Sequence, residues 1–262
     1  MALIAASYPE KHFANSLGPT NPEFQPVFKR WEQFSNEINL PVTFALGEKT
    51  SASFPKMVEH AEGILSTSIA EGFGLGFLEP WMSEKFLCGR NIPEITQDFS
   101  NLGINLNHLY QRLNINLEHL QNKGSMKSKI QTILEKFFLE YRREIPSNAA
   151  EIAYQSMVQN DQVDFGRLDE ALQEEIILSI SKSTMARDEI RSQVKLERID
   201  SKIILKNKES ITENFAQKSY TTKLKLIYGK VLHSKQDQLE YANGDHLLDS
   251  FLSPARLHLL RT

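Results

Sequence analysis

Two glutamates and a run of alternating glycines are the residues whose types and spacing could do chemistry. Glu71 and Glu79 lie eight positions apart, with Gly72, Gly74 and Gly76 between them. Glycines let backbone N–H groups approach a ligand closely, and N–H groups at a helix start attract an anion such as a diphosphate. Carboxylate oxygens accept hydrogen bonds from vicinal hydroxyls, as in a sugar or a ribose. The pattern suits the diphosphate and hydroxyl groups of a nucleotide sugar, although a glycine-rich turn taken alone is also typical of a simple tight turn in an α/β protein.

The predicted secondary structure places this segment at the end of a strand. Ile64 to Thr67 is predicted as a buried strand, and Leu75 to Ser83 as the helix that follows the glycines. In an open parallel sheet, ligands bind in the crevice outside the carboxyl ends of the strands. If the helix begins near Leu75, Glu79 lies about one turn inside it, while Glu71 lies on the loop and faces the same crevice.

Strand and helix signals alternate through the first 120 or so residues. Asn21 or Thr20 can cap a helix that carries an apolar stripe from Phe24 to Ile38, and the stretch from Pro41 to Gly47 reads as a strand buried on both faces. Shorter elements are predicted over residues 2–7 (helix), 12–17 (extended) and 53–62 (helix). This alternation predicts parallel strands joined by crossover helices.

Beyond Leu120 the pattern changes to long helical repeats, and the rest of the chain is predicted to be all helical. The stretch from Gln121 to Ser125 is the predicted boundary, which gives an α/β part over residues 1–122 and a helical part over residues 123–262. The helices are predicted over 127–143, 148–159, 167–181, 185–206, 220–233 and 244–251.

Composition and charge exclude several classes of protein. The chain has 262 residues, 40% of them hydrophobic, and a formal net charge of -3. No apolar run is long enough for an integral membrane segment, and the net charge gives no bulk attraction to nucleic acid or to an acidic membrane. The basic residues from Lys182 to Lys230 alternate with acidic ones, as on a solvated helix face. With no signal-peptide pattern and one cysteine, Cys88, the chain is predicted to be cytoplasmic.

Other residues that could carry function have simpler explanations. The seven histidines form no ligand-spaced pair, so no metal site is predicted. Asp164-Phe165-Gly166-Arg167 matches one kinase motif, but the rest of the kinase set does not appear, and a helix start is the better interpretation. Trp31 and Trp81 lie on apolar helix faces and are predicted as core residues.

The paired-glutamate segment resembles one known family. Glu71-Gly72-Phe73-Gly74-Leu75, followed by Leu78-Glu79-Pro80, resembles the paired-glutamate motif of family 4 retaining glycosyltransferases of the GT-B fold. The stretch from Gly89 to Ile95 resembles the next loop of that family, and Val42 to Gly47 resembles the strand that meets the nucleobase. The resemblance extends from about Leu17 to Tyr110. It implies a partial Rossmann-like sheet, the C-terminal half of the GT-B fold, in the first part.

The resemblance also implies roles for individual residues. Glu71 would be the catalytic residue that holds the hydroxyls of the donor sugar, and Glu79 would hold the ribose hydroxyls. Leu46 and Gly47 would lie near the base. The remaining positions would present backbone N–H groups to sugar and diphosphate: Gly72, Phe73, Gly74 and Leu75. The donor would be a nucleotide diphosphate sugar, with neither a metal nor a further cofactor.

The chain departs from the family at its N-terminus. No Arg and Lys of a diphosphate clamp precede Ala2, Lys11 and Arg90 do not take their positions, and no acceptor-binding domain is present. Stabilising the charge of the leaving diphosphate is commonly the largest catalytic term, so turnover by this chain alone is expected to be poor or absent.

Two hypotheses follow from this departure. The chain is either the donor-binding half of an enzyme that needs a separately encoded acceptor domain, or a non-catalytic remnant or interaction module on the same fold. The missing first strand would leave unpaired backbone groups in the sheet, which predicts a homo-oligomer unless the helices cover them.

Overall fold

The computed structural model describes residues 1–197, 199–234 and 241–259. The helices are α1 (Ala2–Ser7), α2 (Gln25–Glu37), α3 (Leu46–Thr50), α4 (Phe54–His60), α5 (Glu79–Met82), α6 (Pro93–Asn101), α7 (Lys123–Glu140), α8 (Ala149–Met157), α9 (Glu170–Ser181), α10 (Thr184–Gln193), α11 (Ser201–Phe215), α12 (Gln217–His233) and α13 (Gly244–Phe251). The strands are β1 (Phe13–Ala14), β2 (Val42–Thr43), β3 (Gly63–Leu65), β4 (Phe86–Cys88), β5 (Asn114–Asn116), β6 (Val158–Gln159) and β7 (Gln162–Asp164).

The strands form short sheets of two kinds. β1 pairs with β2 and β3 pairs with β4, both in parallel, and each pair is joined through helical connections as the sequence predicted. β5, β7 and β6 form an antiparallel sheet in that order. The chain is therefore mixed α/β. The two parallel pairs are not hydrogen-bonded to each other within the described residues, so the continuous Rossmann-like sheet stays a prediction.

The chain folds into two compact units, each built from segments that are distant in sequence. Unit 1 contains Met1–Phe54, Arg112–Lys195 and Asn243–Thr262, and unit 2 contains Pro55–Gln111 and Leu196–Ala242, apart from the residues not described. The division predicted at residues 122 and 123 does not coincide with these units and stays a prediction.

Unit 1 is built around α1, whose six residues are all buried and which packs against α9 and α10. A buried arginine ties the C-terminal segment to this unit. Arg167 is 8% exposed, and its guanidinium donates to the carbonyls of Ser156, Ala255 and Leu257. These bonds satisfy carbonyl groups that would otherwise be buried without donors.

Unit 2 has its core around Trp81, Phe77 and Leu87, all nearly inaccessible to solvent. A buried amide fixes α11 to the chain that follows α6. The Asn207 side chain accepts a hydrogen bond from the N–H of Asn105 at 2.7 Å and donates to its carbonyl at 2.9 Å. The same side chain satisfies both backbone groups, so this contact sets the register of α11.

The predicted all-helical second part is wrong, because it contains the strands β6 and β7. The predicted helix over 148–159 ends at Met157, and a tight hairpin follows. Asn160 and Asp161 both have positive φ, 50° and 57°, which is the backbone of a two-residue hairpin turn. β5 then completes the sheet from across the predicted boundary.

Two further elements differ from the prediction. The strand expected from Pro41 to Gly47 is limited to β2, which is only half-buried, because Ala45 turns the chain with φ 51° into α3. The single helix expected over 185–206 is two helices, since Ser183 caps α10 and Asp200 caps α11. Arg198, which that prediction included, lies outside the described residues. No described helix is long and apolar enough to cross a membrane.

Candidate functional site

The candidate site lies at the carboxyl edge of the parallel pair β3 and β4 in unit 2. The N–H of Ser66 donates to the carbonyl of Cys88 at 2.8 Å and extends the ladder beyond Leu65. The chain then leaves β3 into the glutamate and glycine segment, and leaves β4 through Gly89 and Arg90. Because parallel strands end at the same edge, both loops begin side by side, where open parallel sheets bind ligands.

Glu71 is oriented by a serine that the sequence analysis gave no role. The hydroxyl of Ser68 donates to Oε1 of Glu71 at 2.5 Å, and both residues are half-buried. The N–H of Ser68 in turn lies 3.4 Å from the hydroxyl of Ser66. The bond forms in a loop, so the spacing of the two residues in the sequence did not reveal it.

The three glycines of the segment have different roles. Gly74 has φ 71°, and a Cβ at this position would lie 2.2 Å from Cγ2 of Ile95. This residue therefore needs glycine both for its backbone conformation and for its close packing against α6. A Cβ on Gly72 or Gly76 would meet nothing within 4 Å, so the backbone there faces open space.

The helix predicted from Leu75 to Ser83 is interrupted. Leu75–Phe77 form a single 3-10 turn, and α5 contains only four residues. Glu79 is thus the first residue of α5 and is exposed, rather than one turn inside a longer helix. A helix macrodipole needs several aligned turns, so the anion attraction expected from a helix start is much reduced here.

Two hydrophobic residues of the segment point into solvent. Phe73 is 89% exposed and Leu75 is 58% exposed. In a monomeric protein, adjacent apolar side chains with this exposure next to open backbone are typical of a surface that contacts something else. They lie on both sides of Gly74, whose conformation fixes the direction of the turn.

Arg90 stands at the same edge, on the loop that follows β4. Its backbone forms an isolated parallel bridge with Tyr110, and its guanidinium carbon lies 5.9 Å from the centre of that ring. The N–H of Asn91 donates to the carbonyl of Tyr110 at 2.7 Å. The sequence placed Arg90 outside the diphosphate clamp of the family, and the structure places it on the loop after β4, which begins beside the loop that carries Glu71.

The core below the site is apolar, and it keeps two titratable side chains neutral, those of His108 and Cys88. The Nε2–H of His108 donates to the carbonyl of Leu87 at 2.8 Å, and its ring lies edge-on to Trp81 at 5.7 Å. Burial lowers the pKa of His108, despite the opposing effect of that hydrogen bond. Cys88 is a buried core residue, as the sequence indicated, and this burial raises the pKa of its thiol to about 11.

The predicted site residues divide between the two compact units. Glu71, Glu79 and the four residues 72–75 all belong to unit 2, whereas Leu46 and Gly47 begin α3 in unit 1. The N–H of Leu46 donates to the carbonyl of Asn15 at 2.9 Å, and that of Gly47 to the carbonyl of Ser16 at 2.8 Å. These two N–H groups are engaged within unit 1.

A metal has no evident ligand set in the part of the chain that is described. No group of three or more His, Cys, Asp or Glu side chains is arranged there to hold an ion. The polar groups at the strand edge, the carboxylate of Glu71 and the hydroxyl of Ser68, are suited instead to hydrogen bonds with hydroxyl groups of a ligand.

Comparison with known proteins adds no family to this geometry. No model of a known protein family, no curated protein and no solved structure matches this chain.

Proposed function

We propose that this chain binds a nucleotide diphosphate sugar at the carboxyl edge of β3 and β4, as the donor-binding segment of a retaining glycosyltransferase. Glu71 accepts hydrogen bonds from the hydroxyls of the donor sugar and Glu79 from those of the ribose. The backbone of Gly72, Phe73, Gly74 and Leu75 contacts the sugar and diphosphate. The observation that carries the proposal is the orientation of Glu71 by Ser68 on a glycine turn at a strand end.

The hydrogen bond from Ser68 supports this role because it orients Glu71 without using up its acceptors. An ionised carboxylate has about four lone-pair sites, and Ser68 occupies one of them, on Oε1. A carboxylate held in one orientation loses less side-chain freedom when a sugar binds, which preserves affinity. Such an arrangement recognises vicinal hydroxyls better than a freely rotating glutamate.

The turn beside Glu71 supports close contact with a ligand. Gly72 and Gly76 have open space where a Cβ would stand, and Gly74 sets the turn through its positive φ. A diphosphate can therefore approach the backbone in this region. Because α5 is a single turn, its dipole contributes little to that contact, and we expect weak binding, with a Kd of about 1 mM or somewhat below.

One observation favours the alternative, a non-catalytic interaction module on the same fold. The N–H groups of Leu46 and Gly47, the two positions expected to lie near the base, already donate to the carbonyls of Asn15 and Ser16. If no residue of the chain contacts the nucleobase, nucleotides and nucleotide sugars should fail to bind altogether. The same titration therefore separates the two functions.

Calorimetric titration of the purified chain tests the proposal with uridine, guanosine and adenosine diphosphate sugars and with the free diphosphates. Glu71→Ala should weaken mainly the nucleotide sugars, and Glu79→Ala should weaken both kinds of ligand by about tenfold, the value of a lost charge-assisted hydrogen bond pair. Glu59→Ala removes an exposed glutamate elsewhere in unit 2 and serves as the matched control. Absence of any binding at millimolar ligand would refute the proposal and support the non-catalytic alternative.

A further inference from the structure

Helix α12 has no buried residue, although it carries several large apolar side chains. Tyr220, Ile227, Tyr228 and Val231 are 62%, 54%, 59% and 63% exposed. A helix of 17 residues with this much apolar surface in water is unusual for a soluble protein. These exposed apolar side chains indicate that α12 contacts a partner.

Most of the apolar residues of α12 lie on one face. Tyr220, Leu224, Ile227, Tyr228 and Val231 follow the spacing i, i+4, i+7, i+8, i+11, which forms a continuous stripe on a helix. Leu232 widens this stripe, whereas Leu226 lies on the opposite side. The helix is about 26 Å long, so the stripe offers an extended surface rather than a single anchor.

Lysines border this apolar stripe on both sides. Lys223 and Lys230 are seven residues apart and lie along one edge, and Lys218 and Lys225, also seven apart, lie along the other. No acidic residue occurs from Asn214 to Ser234. The sequence interpretation of a solvated face with mixed charges applies to the preceding helices, but α12 itself is uniformly basic.

We propose that α12 binds in the plane of a membrane surface that contains anionic lipids. Its apolar stripe would enter the boundary between headgroups and acyl chains, and the bordering lysines would extend their stems upward to lipid phosphates. Tyrosines on the stripe suit this boundary, since one end of the ring is apolar and the other is polar. The proposal does not depend on the proposed sugar-nucleotide site.

Charge complementarity selects this occupant over a second copy of the chain. Two α12 helices packed through their stripes would bring lysine edges against lysine edges with no acidic residue to offset the repulsion. An anionic lipid surface offsets both edges at once. Because the net charge of the whole chain is -3, the attraction is local to this helix.

Co-sedimentation of the full chain with lipid vesicles tests the proposal. Vesicles of phosphatidylcholine alone are compared with vesicles that also contain phosphatidylglycerol, at low and high salt. We expect binding to the anionic vesicles to be at least about tenfold tighter than to the neutral ones, and to weaken with salt. Val231→Glu and Ile227→Glu should each weaken it by about tenfold, and Lys223→Gln by about fivefold.

Leu139→Glu is the matched control, because Leu139 is 79% exposed but lies on α7 in unit 1. It should bind vesicles like the unmodified chain, and circular dichroism should show all variants folded. Equal binding to neutral and anionic vesicles, or no binding to either, would overturn the proposal. So would self-association in light scattering, or capture of a soluble acidic peptide, that Val231→Glu abolishes while vesicles stay unbound.

Discussion

Replacing Gly74 with alanine should destabilise unit 2, whereas the same replacement at Gly72 or Gly76 should be tolerated. Two penalties add at Gly74. The φ of 71° strains any residue with a Cβ, and the new Cβ would stand 2.2 Å from Cγ2 of Ile95 and 3.0 Å from the ring of Phe99. Left-handed strain costs about 1 to 2 kcal/mol and overpacking about 1 to 3 kcal/mol, so we expect a loss of about 2 to 5 kcal/mol.

Urea denaturation followed by tryptophan fluorescence measures this loss. Trp81 belongs to the core of unit 2, and a Trp31→Phe background removes the tryptophan of unit 1 so that emission reports unit 2 alone. Gly72→Ala and Gly76→Ala are the controls, since a Cβ at either position meets nothing within 4 Å. Each should change the free energy of unfolding by no more than about 0.5 kcal/mol.

A second substitution separates the two penalties at Gly74. Ile95→Ala removes the methyl group that the new Cβ would meet, so the combined variant should lose less stability than the sum of the single changes, by about 1 kcal/mol or more. If Gly74→Ala proved as stable as Gly72→Ala, both the conformation of the turn and its packing against α6 would be wrong.

Three further predictions concern buried groups. Arg167→Met should lower the free energy of unfolding by about 3 kcal/mol in urea, because it leaves the carbonyl of Leu257 and others without donors; a loss below about 1 kcal/mol would contradict this. Because burial lowers the pKa of His108, the folded chain keeps this ring neutral while the unfolded chain protonates it below about pH 6.5. Stability should therefore fall as the pH drops through about 6.5, and His108→Gln should flatten that dependence in urea titrations at several pH values. Cys88, with its pKa raised to about 11, should resist a thiol reagent at neutral pH until the chain is unfolded; rapid labelling of the folded chain would contradict its burial.

Local sequence patterns predicted the elements whose hydrogen bonds close within a few residues. Asn21 starts the helical region before α2 by accepting from the N–H of Glu23, as the sequence indicated, and the helix over Gly244 to Phe251 has the predicted bounds. Burial of Trp81 and Cys88 followed from apolar surroundings in the sequence, whereas Trp31, also predicted as a core residue, is only half-buried. These features depend on side-chain periodicity and capping, which are present in the chain before it folds.

Local sequence patterns also predicted part of the position of the candidate site. The glycine segment was predicted at the carboxyl end of a strand, and β3 with its parallel partner β4 places it there. The direction of Glu71 was not readable, because it depends on a hydrogen bond from Ser68 that forms only when the loop takes its final shape. The position of Glu79 was not predictable either, because it depends on the residue at which α5 begins.

Only the tertiary structure decided the antiparallel sheet and the division into two units. β5 and β7 pair across 46 to 50 positions, from Asn116 opposite Gln162 to Asn114 opposite Asp164. Strands of two or three residues are too short to show alternation in the sequence. The units in turn combine segments that are distant in the chain, such as the buried exchange between Asn105 and Asn207. Such contacts gain their free energy from burial only after distant segments have come together, so the local sequence pattern does not predict them.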